Sequence, residues 1–176
     1  MKILKLVAAS VAAILLVCAG TLFAMSRRAD AGREHAVIEI NKPPEHVFRY
    51  LSEPEKVKAW VSWLVEIRST GQGLGARDTW IMEDANNNNE RMEINAVVVA
   101  WDPPRTVALD ISSPLGFTGH QKYTLTPTAS GSRLEVNGAY TYQRWYWQLL
   151  EPLVTPQAQK KLDGDLAKLK QLAETD

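Results

Sequence analysis

The hydrophobic positions change their period along the chain. From Leu6 to Met25 there is no period, because twenty residues pass without a charge, broken only by Ser10, Gly20 and Thr21. As a helix this run would be about 30 Å long, the thickness of a bilayer's hydrocarbon core. It is apolar on all faces, unlike a surface helix with one stripe. From Val37 onward short apolar stretches alternate with turn residues. Val37–Asn41 reads as a strand that Pro43-Pro44 stops. Glu45–Leu51 then carries Val47, Phe48 and Leu51 at helical spacing. Ser52 is expected as the N-cap of a second short helix, with Pro54 in its first turn, running to about Ala59.

Period two takes over after Trp60 and Trp63. Expected strands are Leu64–Ser69, Ala76–Glu83, Arg91–Trp101, Thr106–Ser112, Gly119–Pro127 and Arg133–Tyr142. Between them lie a glycine turn over 70–75, an asparagine-rich hairpin loop over 84–89, Asp102-Pro103-Pro104, and Ser130-Gly131. In the longest strand Met92, Ile94, Ala96, Val98 and Ala100 share one face. Trp80 and Met82 share a face of the strand before it. Gln121, Tyr123 and Leu125, then Leu134, Val136, Gly138, Tyr140 and Tyr142, point inward from the last hairpin. Helical spacing returns at Trp145–Val154, which Pro152 should end or kink. Thr155-Pro156 is a cap-and-first-turn pair for a final helix to about Glu174. Its stripe is Ala158, Leu162, Leu166, Leu169 and Ala173, with Lys160, Lys161, Asp163, Lys168 and Lys170 toward water. Gly164 inside that helix suggests a close approach to the sheet or to a ligand. The class is α+β. A long amphipathic helix must cover the apolar face of an antiparallel sheet of about six to seven strands.

The amino-terminal run has two readings. It is long enough for an uncleaved anchor, whereas a cleaved signal has an apolar stretch of roughly 7–15 residues. Ala24-Met25-Ser26 and Ala29-Asp30-Ala31 match a small-x-small cleavage site loosely. The division expected is a transmembrane or signal-anchor segment over 1–30, a linker over 31–35, and a domain over 36–176. Lys2 and Lys5 oppose Arg27, Arg28 and Arg33, so the charge rule for orientation is close to a tie. The short basic leader favours export, with the domain on the extracytoplasmic, periplasmic side; the alternative is secretion after cleavage.

Composition removes several function classes. The 176 residues carry 20 basic and 20 acidic side chains, and from Ala36 onward 15 basic and 18 acidic, a net charge of −3. A nucleic-acid binder needs a basic surplus. Cys18 is the one cysteine, so no intrachain disulfide and no multi-cysteine zinc site forms. His46 and His120, with His35 just before the domain, do not cluster with other ligand types, and no metal or cofactor is expected. Gly71-x-Gly73-x-Gly75 precedes a strand, not a helix, and reads as a turn.

Ile38-Glu39-Ile40-Asn41-Lys42-Pro43-Pro44-Glu45-His46-Val47-Phe48, then Trp60-Val61-Ser62-Trp63, then Gly164-Asp165-Leu166 followed by Leu169-Lys170 and Glu174, occur in this order. Together they resemble the polyketide cyclase/dehydrase and lipid-transport family of the START-like (SRPBCC) superfamily, whose fold is the helix-grip. The resemblance spans about residues 36–174. It implies a curved sheet gripping the C-terminal helix around an elongated apolar cavity. It leaves function open, since such families hold enzymes, carriers and receptors.

Facing the strand and helix stripes across such a cavity selects the candidate ligand-binding residues. These are Trp60, Trp63, Trp80, Met82, Met92, Ile94, Ala96, Val98, Tyr123, Tyr140, Leu162, Leu166 and Leu169. No catalytic residue is assigned. Asp78, or Asp110 after a one-residue slip, with Tyr123, Tyr140 and Tyr142, are the side chains an acid–base enzyme would use. Arg144-Trp145-Tyr146-Trp147 would suit a membrane interface. The leading expectation is a monomeric, membrane-anchored binder of a hydrophobic small molecule or lipid. The alternatives are a cyclase- or dehydratase-type enzyme and a structural envelope protein with a filled cavity.

Overall fold

The computed structural model describes residues 2–28, 31–84 and 88–176. Positions 85–87 of the expected hairpin loop, and Ala29 and Asp30 of one cleavage-site match, lie outside the described residues.

The elements follow in the order α1 (Lys2–Ser26), β1 (Arg33–Ile40), α2 (Pro44–Ser52), α3 (Pro54–Trp60), β2 (Leu64–Ser69), β3 (Arg77–Asp84), β4 (Glu90–Asp102), β5 (Thr106–Ser113), β6 (Phe117–Thr128), β7 (Gly131–Tyr142) and α4 (Trp145–Thr175). All seven strands form one antiparallel sheet in the order β1-β7-β6-β5-β4-β3-β2. From β2 to β7 each strand pairs with its chain neighbour, as short connections dictate. The sheet ends at β1, which pairs along its whole length with β7. Helix α4 lies across the apolar face, as the helix-grip arrangement requires.

One end of this sandwich is solid. Ile40, Val47, Leu134, Val136, Leu166, Leu169 and Ala173 are almost wholly buried there. Polar contacts pin the end of α4 as well. The Tyr50 hydroxyl donates to the Leu172 carbonyl at 3.2 Å, and His46 Nε2 lies 3.0 Å from the Ala173 carbonyl. Lys56 meets Asp176 at 2.6 Å, and the Asn41 N–H donates to Glu174 at 2.8 Å.

Several local expectations need correction. Ser52 does not cap α3. Its hydroxyl donates back to the Phe48 carbonyl at 2.9 Å and closes α2, while Glu53 precedes the Pro54 that starts α3. Strand β1 begins at Arg33, so part of the expected linker is already in the sheet. Ala100 does not share the inner face of β4. The register shifts between Val98 and Ala100, and past this bulge Trp101 turns inward against Phe48, ring centroids 5.3 Å apart. Gly164 is exposed, and a Cβ built there meets nothing within 4 Å, so no close approach explains it.

Helix α4 is one helix of 31 residues, with Pro152 and Pro156 inside it. Each proline removes one backbone bond, to the carbonyls of Gln148 and Pro152 respectively. The two gaps are four residues apart on the same side of the helix, and the helix continues through both. Tertiary contacts hold this half. Buried Glu151 accepts from the Gly32 N–H at 2.5 Å and from the Thr155 hydroxyl. Gln148 donates to the Tyr142 carbonyl at 2.8 Å, and α1 packs against α4. Gly32 has φ +67°, and a Cβ there would collide with the Tyr140 carbonyl oxygen, which only glycine avoids.

Candidate functional site

At the other end the sheet and α4 part. They enclose a cavity of about 310 Å³. A single water needs only about 10–15 Å³ by this measure, and ligand pockets begin near 300 Å³, so the interior is not filled by its own side chains. A structural protein would fill this space with its own side chains, so the cavity weighs toward a ligand-binding domain.

The wall is built from the inner faces of β1 and of β3 to β7, from the end of α3 with the turn after it, and from α4. Trp80 and Met82 come from β3, Met92 and Ile94 from β4, Ile111 from β5, and Phe117, Gln121 and Tyr123 from β6. Tyr140 and Tyr142 come from β7, and Trp60, Val61 and Trp63 from the α3 end. Ala158, Lys161, Leu162 and Asp165 come from α4, and Glu34 from β1. Strict alternation brings these side chains together, because residues two apart on a strand share a face.

Nine of the thirteen candidate residues meet in this wall: Trp60, Trp63, Trp80, Met82, Met92, Ile94, Tyr123, Tyr140 and Leu162. The other four do not reach it. Leu166 and Leu169 pack solidly at the closed end, Ala96 is buried in the sheet, and Val98 faces a small separate cavity of about 50 Å³ under the glycine turn. The apolar space is a chamber beside the middle of α4, from Ala158 to Asp165, not a tunnel along it, because from Leu166 onward the helix packs solidly on the sheet and is held there by α2 and the end of β1.

Glu34 and Asp165 are the polar residues that apolar periodicity does not find. Glu34 falls in the expected linker, yet the alternation Glu34-x-Ala36-x-Ile38-x-Ile40 extends the inner face of β1 back to it. Asp165 interrupts the stripe Leu162–Leu166–Leu169 at the inward position. Glu34 is only 7% exposed. Burial raises its carboxyl above the ordinary carboxylate value, partly opposed by a hydrogen bond from Tyr140 and by the charge of Lys161. Burial likewise raises the Tyr140 and Tyr123 hydroxyls, and the Glu34 charge adds to both. The Tyr123 hydroxyl makes no hydrogen bond among the described residues and borders the cavity.

Lys161 is corrected from a solvent-facing residue to a cavity residue. Its ammonium lies 2.6 Å from Asp165 Oδ2 and 5.3 Å from the centre of the Trp63 ring. The other Asp165 oxygen accepts from the Ser62 N–H at 3.0 Å, which fixes the α3–β2 turn at the rim. Trp63 itself has φ +70°, a strained conformation for a bulky residue, and lines the cavity while staying 41% exposed. Trp60 is anchored by its indole N–H, which donates to the Tyr50 carbonyl at 2.7 Å.

Of the other acid–base candidates, Asp110 points outward and pairs with His120 at 2.7 Å in solvent. Asp78 lines the small cavity with one buried oxygen lacking a partner among the described residues. Among those residues no group of His, Cys, Asp and Glu is arranged to hold a metal.

A seven-stranded antiparallel sheet gripping a long C-terminal helix around an apolar chamber defines a START-like domain. The sequence profile described as polyketide cyclase / dehydrase and lipid transport matches residues 33–174, and the chain belongs to that family. Solved structures share the fold. Protein CV1439 from Chromobacterium violaceum superposes with a TM-score of 0.69 at 15% identity, over 82% of this chain and 99% of its own. Protein NE0264 from Nitrosomonas europaea gives 0.68 at 16%, over 84% and 97%. A protein from Thermus thermophilus, TTHA0849, gives 0.64 at 19%, over 80% and 96%. No curated protein matches the chain.

Proposed function

We propose that this protein is a membrane-anchored binding protein that holds a hydrophobic small molecule or lipid in the chamber between its sheet and α4. The observation that carries this reading is the cavity of about 310 Å³, walled chiefly by aromatic, methionine and aliphatic side chains with few polar groups. Such a wall binds by burial, at about 25 cal/mol per Å² of apolar area, while the polar groups set orientation.

Anchoring is supported by α1, which is long and apolar enough to cross a membrane. It packs beside α4, whose first turn carries Trp145, 73% exposed, and the partly exposed Tyr146 and Trp147. Aromatic rings beside Arg144 suit the headgroup layer. With an export-type leader, the domain would stand on the extracytoplasmic side.

Native mass spectrometry of the full chain, ejected from a detergent micelle, tests the binding reading. The expected spectrum shows the chain with one discrete hydrophobic adduct, lost on activation. A bare chain at every activation energy, together with failure to bind any added apolar probe, contradicts it.

A cyclase- or dehydratase-type activity is the second reading, favoured by the Glu34–Tyr140 contact inside the cavity. A buried carboxyl beside a hydroxyl can exchange a proton with a bound carbonyl compound.

A further inference from the structure

Glu34 stands in the cavity wall with no cation of its own. The other two charged groups there satisfy each other, Lys161 and Asp165 being 2.6 Å apart. Among the described residues no lysine, arginine or histidine forms an ion pair with Glu34; its partner is the Tyr140 hydroxyl. The lining therefore holds two carboxylates and one ammonium. A buried carboxylate beside a hydroxyl, with no cation paired to it and only the field of Lys161 to offset it, either takes up a proton or takes a counter-charge from a ligand.

The walls around it are of the kind that receive cations. Trp60, Trp80, Tyr123 and Tyr142 offer aromatic surface, and organic cations are attracted to the faces of such rings. One such contact already exists at the rim, where the Lys161 ammonium sits over Trp63.

We infer that the chamber takes a hydrophobic organic cation, an amine or quaternary ammonium with apolar substituents, its charge against Glu34 and its substituents on the aromatic walls. This rests on the hydrophobic-ligand reading and narrows it. With a neutral ligand Glu34 must take up a proton or keep a charge that Lys161 offsets only in part, and an anion meets a like charge in a low-dielectric site. The carboxyl of Glu34 is raised first by burial, which no ion pair offsets.

The test uses the full chain in an amphipathic polymer and titration calorimetry at neutral pH. The probes are benzyltrimethylammonium and neopentylbenzene, which differ only by nitrogen for carbon and hence by one charge. The expected result is preference for the cation by roughly tenfold or more in the wild type, falling to within about threefold in Glu34→Gln. Equal binding of the two probes, or a cation preference that survives Glu34→Gln, overturns the inference and leaves the hydrophobic-ligand reading standing. If neither probe binds the wild type, both readings fall. The wild-type comparison decides the matter even if the variant does not fold.

Discussion

Glu34 occupies a position that an apolar residue would fill at less cost to stability, which marks it for function rather than for folding. Its carboxyl value in the folded chain is raised, so the stability tied to it is fully present below the ordinary carboxylate range and is lost as pH rises through the folded value. Glu34→Gln keeps the shape and removes the charge. It should raise the Tm at neutral pH, by about 2–4 °C for each kcal/mol recovered in a chain of this size. The gain should shrink toward zero as the pH falls to the ordinary carboxylate range. Melts followed by circular dichroism at two pH values check it; a lower Tm at neutral pH would count against the role of burial. Tyr123 allows a different separation, because its hydroxyl has no protein partner among the described residues. Tyr123→Phe should leave the Tm nearly unchanged and weaken ligand binding by about 0.5–1.5 kcal/mol. A catalyst using that hydroxyl would instead lose turnover by orders of magnitude with binding intact. Gly164 is the residue whose role the sequence misstates. A helix-interior glycine suggests contact, but only the packed structure shows that the space beyond it is open. Gly164→Ala should therefore stabilise the protein by roughly 0.5–1 kcal/mol in chemical denaturation.

At the level of elements, strands are legible wherever one face is apolar and the other polar. Arg91, Glu93 and Asn95 against Met92, Ile94 and Ala96 define the facing of β4, and the structure keeps it up to Val98. The bulge after Val98 leaves no mark in the pattern, since Val99 and Ala100 are both apolar and suit either face. Prolines mislead in the other direction. Pro152 and Pro156 are locally strong stop signals, and Thr155-Pro156 is a proper cap-and-first-turn pair, yet buried Glu151 and the neighbouring elements carry the helix through both. The two descriptions of α4 make opposite predictions. If Pro156 begins a helix, alanine there is neutral or unfavourable. In the continuous α4, where Pro156 is exposed and interior, Pro156→Ala should stabilise by roughly 1–3 kcal/mol. Equilibrium unfolding in urea, with the m-value unchanged, distinguishes them. The site is less legible than the fold for a related reason. Apolar periodicity finds the walls, but Glu34 and Asp165 lie where polarity breaks the period, and a broken period reads as a loop or a solvent face.

For the whole molecule, the family match begins at residue 33 and the sheet begins at Arg33, so α1 lies outside the packed domain apart from its contact with α4. A chain beginning at Gly32 should be soluble and monomeric and should melt in one cooperative transition, as sedimentation and calorimetry would show; native behaviour only in detergent would refute that division. The central claim is that the chamber between sheet and α4 is the binding site. Ile94 projects from β4 into it. Ile94→Trp should occupy that space at an overpacking cost of about 1–3 kcal/mol, leaving the fold intact. The decisive measurement is a fluorescence titration of a polycyclic apolar probe into the full-length wild type and Ile94→Trp, with the Tm of each recorded alongside. Saturable binding to the wild type that is lost in a folded Ile94→Trp is the predicted result; equal binding to both would place the ligand elsewhere and contradict the account.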